Sequence, residues 1–315
     1  MSGSTVAIGL SAVVMAPLAG ETMVLTVKRS SEPLAGLPSG PFDPESHRTF
    51  ELALRDFVTS QTGLAMGYVE QLYTFGDAGR ETPQARLGAE TGQRVVSIGY
   101  LALAPTAVKT TGAEAAWRAW SDFFPYEDWR SGRPEAIDDV IAPWLSSWAD
   151  GDAQRMARAD SLFALSEPSA WRDERVLERY ELLYESGLAF EAARDRRQAP
   201  SNNARVVGLA LRSDHRRILA TGLGRLRGKL RYRPVIFDLL PAEFTLSQLQ
   251  KAVEAVTGRP LHKQNFRRAV ERAGLVERTG RIDAATGGRP AELFRYRDDG
   301  VGESQAQGLS LPIRR

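Results

Sequence analysis

The sequence predicts an α+β chain built from two units, and three observations carry that reading. Near the start, apolar residues alternate with small ones, which is the period of a half-buried strand. From about Glu45 the apolar spacing changes to that of one helix face. Over Tyr232–Arg297 two short helices are followed by a hairpin.

Val6, Ile8 and Leu10, then Val13, Val14 and Met15, lead to a turn at Ala19-Gly20-Glu21 and on to Met23–Val27, which ends on Lys28-Arg29. This reads as a β-hairpin. The stretch lacks a basic leader and is interrupted by Gly9, Ser11 and Pro17, so it predicts strands of a cytoplasmic protein rather than a secretion signal. Residues 30–45 are rich in Ser, Pro and Gly and read as loop. Phe50, Leu54, Phe57 and Val58 recur at i, i+4, i+7 and i+8, a helix face that Gly63 terminates. Tyr68–Tyr73, a turn at Gly76-Asp77, a polar loop over 78–93 and a strand Arg94–Ala104 complete a ββ–helix–ββ front.

Residues 112–200 hold all six tryptophans: Trp117, Trp120, Trp129, Trp144, Trp148 and Trp171. Within them Arg172–Gly187 reads as a helix with Val176, Tyr180, Leu183 and Tyr184 as a core stripe. Arg205–Leu211 reads as a strand. Asp214–Arg231 reads as a basic amphipathic helix, with Ile218, Leu219, Leu223, Leu226 and Leu230 inward and Asp214 as N-cap.

After Pro234–Leu240, Thr245 caps a helix Leu246–Val256 whose Leu246, Leu249, Val253 and Val256 turn inward. Gly258-Arg259-Pro260 breaks it. A second helix, Lys263–Ala273, ends at Gly274. Leu275–Arg278, the Gly-rich stretch Gly280–Gly288 and Leu293–Arg297 form a two-stranded wing. This is the layout of a winged helix-turn-helix. Residues 300–315 have few apolar anchors and read as a disordered tail.

Composition narrows the chemistry. Hydrophobic residues make up 43%, which excludes wholesale disorder. The absence of cysteine excludes disulfides, thiolate metal sites and thiol catalysis. The three histidines, His47, His215 and His262, are far apart, which argues against a multi-histidine metal site or a Ser-His-Asp triad. No apolar run reaches the roughly 18 residues of a transmembrane helix, so no membrane partner is expected. The net charge of +2 conceals an asymmetry: residues 201–315 carry 22 basic and 11 acidic side chains, residues 1–200 carry 19 and 28. An acidic front and a basic back point to a polyanion partner for the back, most simply nucleic acid.

The front half resembles a Nudix domain. Its box reads G-x5-E-x7-R-E-U-x-E-E-x-G-U, with U apolar, and the glutamates hold Mg²⁺ or Mn²⁺ against a diphosphate. Counted back from Gly63-Leu64, the three metal-binding glutamate positions fall on Phe57, Ser60 and Gln61, and the arginine on Asp56. A register one residue away leaves the single carboxylate Asp56 beside Thr59 and Ser60. Such cations want several anionic oxygens. The resemblance therefore implies the fold and argues against the activity: no catalytic residue, metal or cofactor is expected.

A Nudix fold joined to a winged helix resembles the Nudix-related transcriptional regulator (NrtR) family. The resemblance rests on Gln71–Asp77 (QLYTFGD) with Arg94–Ser97 (RVVS), on Asp214–Leu219 with Leu226–Lys229, and on Phe244–Leu246, Gly258–Leu261, Asn265–Arg268 and Gly288–Ala291. It covers about residues 5–297, and with its insertion the chain looks most like the alphaproteobacterial NAD-regulator branch, NadQ. The resemblance implies a homodimeric repressor of NAD biosynthesis genes that binds double-stranded operator DNA. It also implies an adenine nucleotide effector (NAD, ATP or ADP-ribose) in the former active-site cleft. The expected fold is a Nudix-like α/β/α sandwich over 1–230, with a helical insertion at 112–200 and a linking or dimer helix at 214–231. A winged helix over 232–299 and the tail 300–315 follow.

With Phe266, Val270 and Ala273 inward, Gln264, Arg268 and Glu271 point outward, flanked by Lys263, Arg267 and Arg272. Arg forks onto guanine O6/N7; Asn or Gln forks onto adenine N6/N7. Lys263 and Arg289 of the wing suit phosphates or a minor-groove edge. Thr245, Lys263, Gln264, Asn265, Arg267, Arg268, Arg272 and Arg289 form the expected DNA-binding set. Glu271 could accept from cytosine N4 or pair with Arg267 or Arg268. The expected effector set is Arg29, Phe42, Tyr73, Phe75 and Tyr100, because aromatic faces and arginines suit a base and its phosphates. Two rival readings stand beside this: a divergent nucleotide pyrophosphatase using Glu45, Glu51 and Asp56, and a nucleotide-binding adaptor whose winged helix contacts protein.

Overall fold

The structure is a computed structural model that describes residues 6–28, 30, 32–77, 80, 93–107, 109–110, 114–231, 233–283 and 290–297. Strand β1 (Val6–Leu18) is long enough to pair with three others, and that decides the sheet. Ala19 and Gly20, both at positive φ, turn it into β2 (Glu21–Val27), its antiparallel partner. Its first half pairs antiparallel with β3 (Ser39–Pro41). Helix α1 (Phe50–Thr62) follows, then β4 (Val69–Phe75), β5 (Arg94–Leu103) and β6 (Ala115–Ala119). β5 runs parallel to β1 over Val6–Met15, and the strand order is β4-β5-β1-β2-β6.

α1 covers one face, where Ala53, Leu54 and Val58 pack on Leu10, Val14, Leu25 and Ile98. It starts at Phe50 rather than near Glu45, because the Thr49 side chain accepts the Leu52 N–H and so fixes the N-terminus. The opposite face carries α2 (Trp120–Phe123), α3 (Ala142–Ala149), α4 (Ala153–Phe163), α5 (Val176–Glu185), α6 (Phe190–Asp195) and α7 (His215–Lys229). Ile218, Leu219, Leu223 and Leu226 of α7 are buried there. Helix, sheet and helices form the three-layer sandwich of the Nudix fold.

Three sequence expectations are corrected. The insertion is not helical from its start, since β6 extends the sheet; five residues of Ala-Ala-Trp-Arg-Ala are too short to show strand period. Arg205–Leu211 is not a strand. A 3₁₀ turn at Asn202–Arg205 and Gly208 at φ 108° break the extension, and the Leu209 N–H donates to the Asp122 carbonyl at 2.8 Å. Its apolar residues plug the core singly: Val207 and Leu211 are buried while Leu209 is exposed. Asp214 occupies the N-cap position of α7, but its side chain makes no cap bond. It faces Arg80 at 3.4 Å and Arg217 at 3.5 Å instead, two cations that outbid a backbone N–H. In addition, α5 starts at Val176, four residues beyond the expected Arg172.

The last unit comprises β7 (Phe244–Thr245), α8 (Leu246–Thr257), α9 (Lys263–Ala273), β8 (Val276–Asp283) and β9 (Ala291–Tyr296). β7 adds a third strand to the wing, in the order β7-β9-β8. Thr245 and Gln248 make a reciprocal capping box at the start of α8. One continuous hydrophobic cluster runs from Val13 and Leu223 through Trp120 to Val253, Phe266 and Leu275, so body and winged helix share a core. Among the described residues no helix is long and apolar enough to cross a membrane. Arg29, Tyr232, Arg289 and the tail 300–315 lie outside the described residues.

Candidate nucleic-acid interface and sensor face

α9 is held by two apolar anchors. Phe266 and Val270 are buried, Ala273 is half-buried, and Gly274 at φ 64° closes the helix. The turn into it is stapled: Glu254 Oε1 accepts the Leu261 N–H at 2.8 Å, and Gln250 Nε2 donates to the Leu261 carbonyl at 3.0 Å. With the anchors inward, Lys263, Gln264, Asn265, Arg267, Arg268, Glu271 and Arg272 are all exposed. Between α9 and the wing lies a groove of about 1070 Å³ lined by Lys263, Arg267, Glu271, Arg278 and Arg297 among others. Thr245 also lines it, but the residue is buried and its hydroxyl accepts the Gln248 N–H at 3.1 Å.

The electrostatics of this face set it apart. The side chains of Lys263, Arg267, Arg268 and Arg272 make no ion pair and no hydrogen bond among the described residues, and Glu271 pairs with none of them. The wing differs: Arg278 faces Glu292 at 3.5 Å, Arg281 faces Glu243 at 2.8 Å, and Arg295 pairs with Glu277. Seven exposed polar or charged side chains on one helix, four of them uncompensated cations, can meet a polyanion without first breaking internal bonds.

On the α1 face the expected effector residues divide. Phe42 packs edge-on to Phe50, with ring centres 4.5 Å apart, and joins Tyr100 in the same cluster. Tyr100 is buried, its hydroxyl is 3.4 Å from Gln71 Oε1, and burial followed by the charge of Glu51 holds its pKa up. Phe75 lies on the opposite face of the sheet, in the cluster that includes Ile218, under the Arg217 guanidinium at 5.3 Å. Tyr73 is 61% exposed and abuts Phe75 rather than Tyr100. The structure therefore places Phe42 and Tyr100 in one cluster and separates Phe75 from them. A residue the sequence reading left in the insertion, Trp117 on β6, packs half-buried against the Phe42–Tyr100 cluster. Only the pairing of β6 with β2 reveals it.

The residues of α1 at the expected box positions have their own commitments. Phe57 packs over Gly40, Ser60 Oγ donates to the Phe57 carbonyl, and Gln61 brackets the Ser39 backbone from both sides. Glu51 pairs with Arg55 at 2.8 Å, and Arg55 also donates to the Met66 and Gly67 carbonyls. Asp56 faces His47 at 3.5 Å. The QLYTFGD motif is tied to α7: Asp77 pairs with Arg217, which also meets Glu181 at 2.8 Å.

Residues 236–296 match the family model of the NrtR DNA-binding winged helix domain. The C-terminal unit is thus similar to the DNA-binding domain of NrtR proteins. The chain is 38% identical over 91 residues to the ADPR responsive transcriptional repressor NtrR of Acinetobacter baylyi, a match spanning 29% of this chain and 36% of that protein. Its fold is similar to that of Shewanella oneidensis NrtR, solved in complex with a 27mer DNA, at TM-score 0.54 and 21% identity, covering 96% of this chain and 97% of that one. It is also similar to a MutT/nudix family protein from Enterococcus faecalis, at TM-score 0.54 and 14% identity, covering 94% and 88%. The family match is confined to the winged helix, and the whole-chain likeness to solved structures supplies the fold, a Nudix-like body followed by a winged helix.

Proposed function

We propose that this chain is an NrtR-type regulator, a homodimeric repressor of NAD biosynthesis genes. Its winged helix binds operator DNA, and its Nudix body reads an adenine nucleotide, ADP-ribose first among NAD, ATP and ADP-ribose. The observation that carries the DNA half is the row of uncompensated cations on α9. Four like charges within eleven residues repel one another, and a duplex phosphate backbone supplies the missing counter-charge. Arg268, Gln264 and Asn265 then face base edges, while Lys263, Arg267 and Arg272, with Arg289 of the wing, meet phosphates. Thr245 acts indirectly, by capping α8, on which α9 packs. The matched DNA-binding domain supports DNA as the partner of this unit.

The ADPR response of the Acinetobacter relative supports the effector. Phe42, Tyr100 and Trp117 form the aromatic group that would hold the base, with Arg29 for a phosphate. The body acts as a sensor rather than a hydrolase, because Phe57, Ser60 and Gln61 supply no carboxylate at the three box positions. Fluorescence anisotropy on DNA upstream of NAD biosynthesis genes, with and without each nucleotide, tests the reading. An effector should change operator affinity by roughly 5–150-fold. Affinity equal to that for random duplex overturns the DNA half. Sequence-specific binding indifferent to all three nucleotides overturns the sensor half.

A further inference from the structure

The C-terminal end of α8 is finished by the body rather than by itself. A helix leaves its last four carbonyls without intrahelical partners. Here the Gly258 N–H takes the Glu254 carbonyl at 2.9 Å, and the next two acceptors are met from outside the winged helix. The Trp120 indole N–H donates to the Ala255 carbonyl at 2.6 Å, and Arg227 Nε donates to the Val256 carbonyl at 3.0 Å. The Trp129 backbone N–H then donates to the Gly258 carbonyl at 2.7 Å. The three donors come from the insertion and from α7, and the Trp120 and Arg227 side chains are buried.

The joint is locked behind those bonds. Glu127, fully buried, bridges Arg227 at 2.6 Å and Arg179 of α5 at 2.5 Å. The Arg227 guanidinium lies 4.7 Å over the Trp120 ring, and that of Arg259 4.7 Å over the Trp129 ring. Gly258, at φ 69°, is pressed so close that a Cβ there would sit 2.5 Å from the Glu127 carbonyl oxygen. α8 packs in turn on β2, α7 and α9, so a fixed α8 fixes α9 relative to the sheet.

We infer that Trp120 and Arg227 are positioning residues for operator recognition: by capping α8 from the body they hold the winged helix in one attitude, and in a dimer that attitude sets the half-site spacing the protein accepts. The inference rests on the dimeric operator-binding reading. A head on a loose tether would reach half-sites over a range of separations, whereas a head fused to the body reaches one. The Trp-rich insertion thereby has a role, since it contributes Trp120, Glu127 and Trp129 to the joint.

The test uses the full chain, a duplex selected by the parent from randomised DNA, the same duplex with its half-sites moved by one and two base pairs each way, and an isolated half-site. Trp120→Phe keeps the ring and removes the N–H. Arg227→Lys keeps the charge beside Glu127 and removes the second donor. Each variant is first checked for a single cooperative unfolding transition. Both should bind the isolated half-site within about twofold of the parent and lose about three- to tenfold on the optimal full operator, the range of one lost buried hydrogen bond. Their preference for the optimal spacing over its neighbours should shrink in proportion. A lost half-site affinity would mark a merely structural role and overturn the inference. An unchanged spacing profile in both variants would overturn it while leaving the DNA-binding reading intact. A parent that selects no duplex overturns that reading and this inference with it.

Discussion

Arginine does opposite work at the two ends of this molecule. In the body Arg179, Arg216 and Arg227 are buried, and each is committed to a carboxylate: Arg179 and Arg227 share Glu127, and Arg216 meets Glu191 at 3.2 Å. On α9 the arginines are exposed and uncompensated. The difference is one of solvent. A guanidinium taken out of water must find a counter-charge and acceptors within the fold. One left in water needs neither, and stays available to a partner. Body arginines should therefore govern stability and interdomain geometry, and α9 arginines should govern binding.

Glu127→Ala is the largest test of that contrast. It strands two buried guanidiniums and should destabilise the chain by about 3–5 kcal/mol, read as a lower denaturant midpoint. A loss under about 1 kcal/mol would mean that the buried cluster is not structural.

Asp214 sharpens the body side by pH. Burial outweighs Arg80 and Arg217 and raises its pKa to about 6. A carboxyl raised above its unfolded value keeps its proton longer when folded, so stability falls as pH rises from about 4 through 6. Asp214→Asn should flatten that window by about 2–3 kcal/mol in chemical unfolding across pH. An undiminished slope in the variant would assign the effect to another group.

On the α9 side, Arg268→Ala should cost about 1–3 kcal/mol of operator affinity while leaving the unfolding midpoint of the parent. A stability loss of that size would place Arg268 with the body arginines. Lys263→Ala should be the smallest effect: weaker binding on all sequences alike and a salt slope lower by about one. An unaltered slope would remove Lys263 from the phosphate contacts.

The winged helix was legible because its signals are local. Thr245 with Gln248, Gly258-Arg259-Pro260 and Gly274 lie within a few residues of the helix ends they set, and the stripe of Phe266 and Val270 orients α9 without reference to anything distant. The same holds for the hairpin at Ala19-Gly20 and for α1 up to Gly63. The candidate sensor face was only half legible. Phe42 and Tyr100 belong to one cluster on the α1 face, but Phe75 points to the other face of the sheet, because a bulge between Gln71 and Thr74 shifts the register of β4. β6 and its Trp117 were illegible: five residues without β-branched side chains gain their strand character from β2, not from their own sequence.

The sequence by itself determined the order of elements, the caps and breaks that bound them, the winged-helix layout and the cations of α9, since each depends on side chains a turn or two apart. Tertiary structure alone decided which arginines are occupied, which aromatics share a face, and how the winged helix is seated. Glu127 meets Arg227 across 100 residues of chain and Trp120 meets Ala255 across 135. Bonds of that span have no periodicity to announce them. They arise only when packing removes water from both partners, so that each must find its counter-charge or acceptor within the fold.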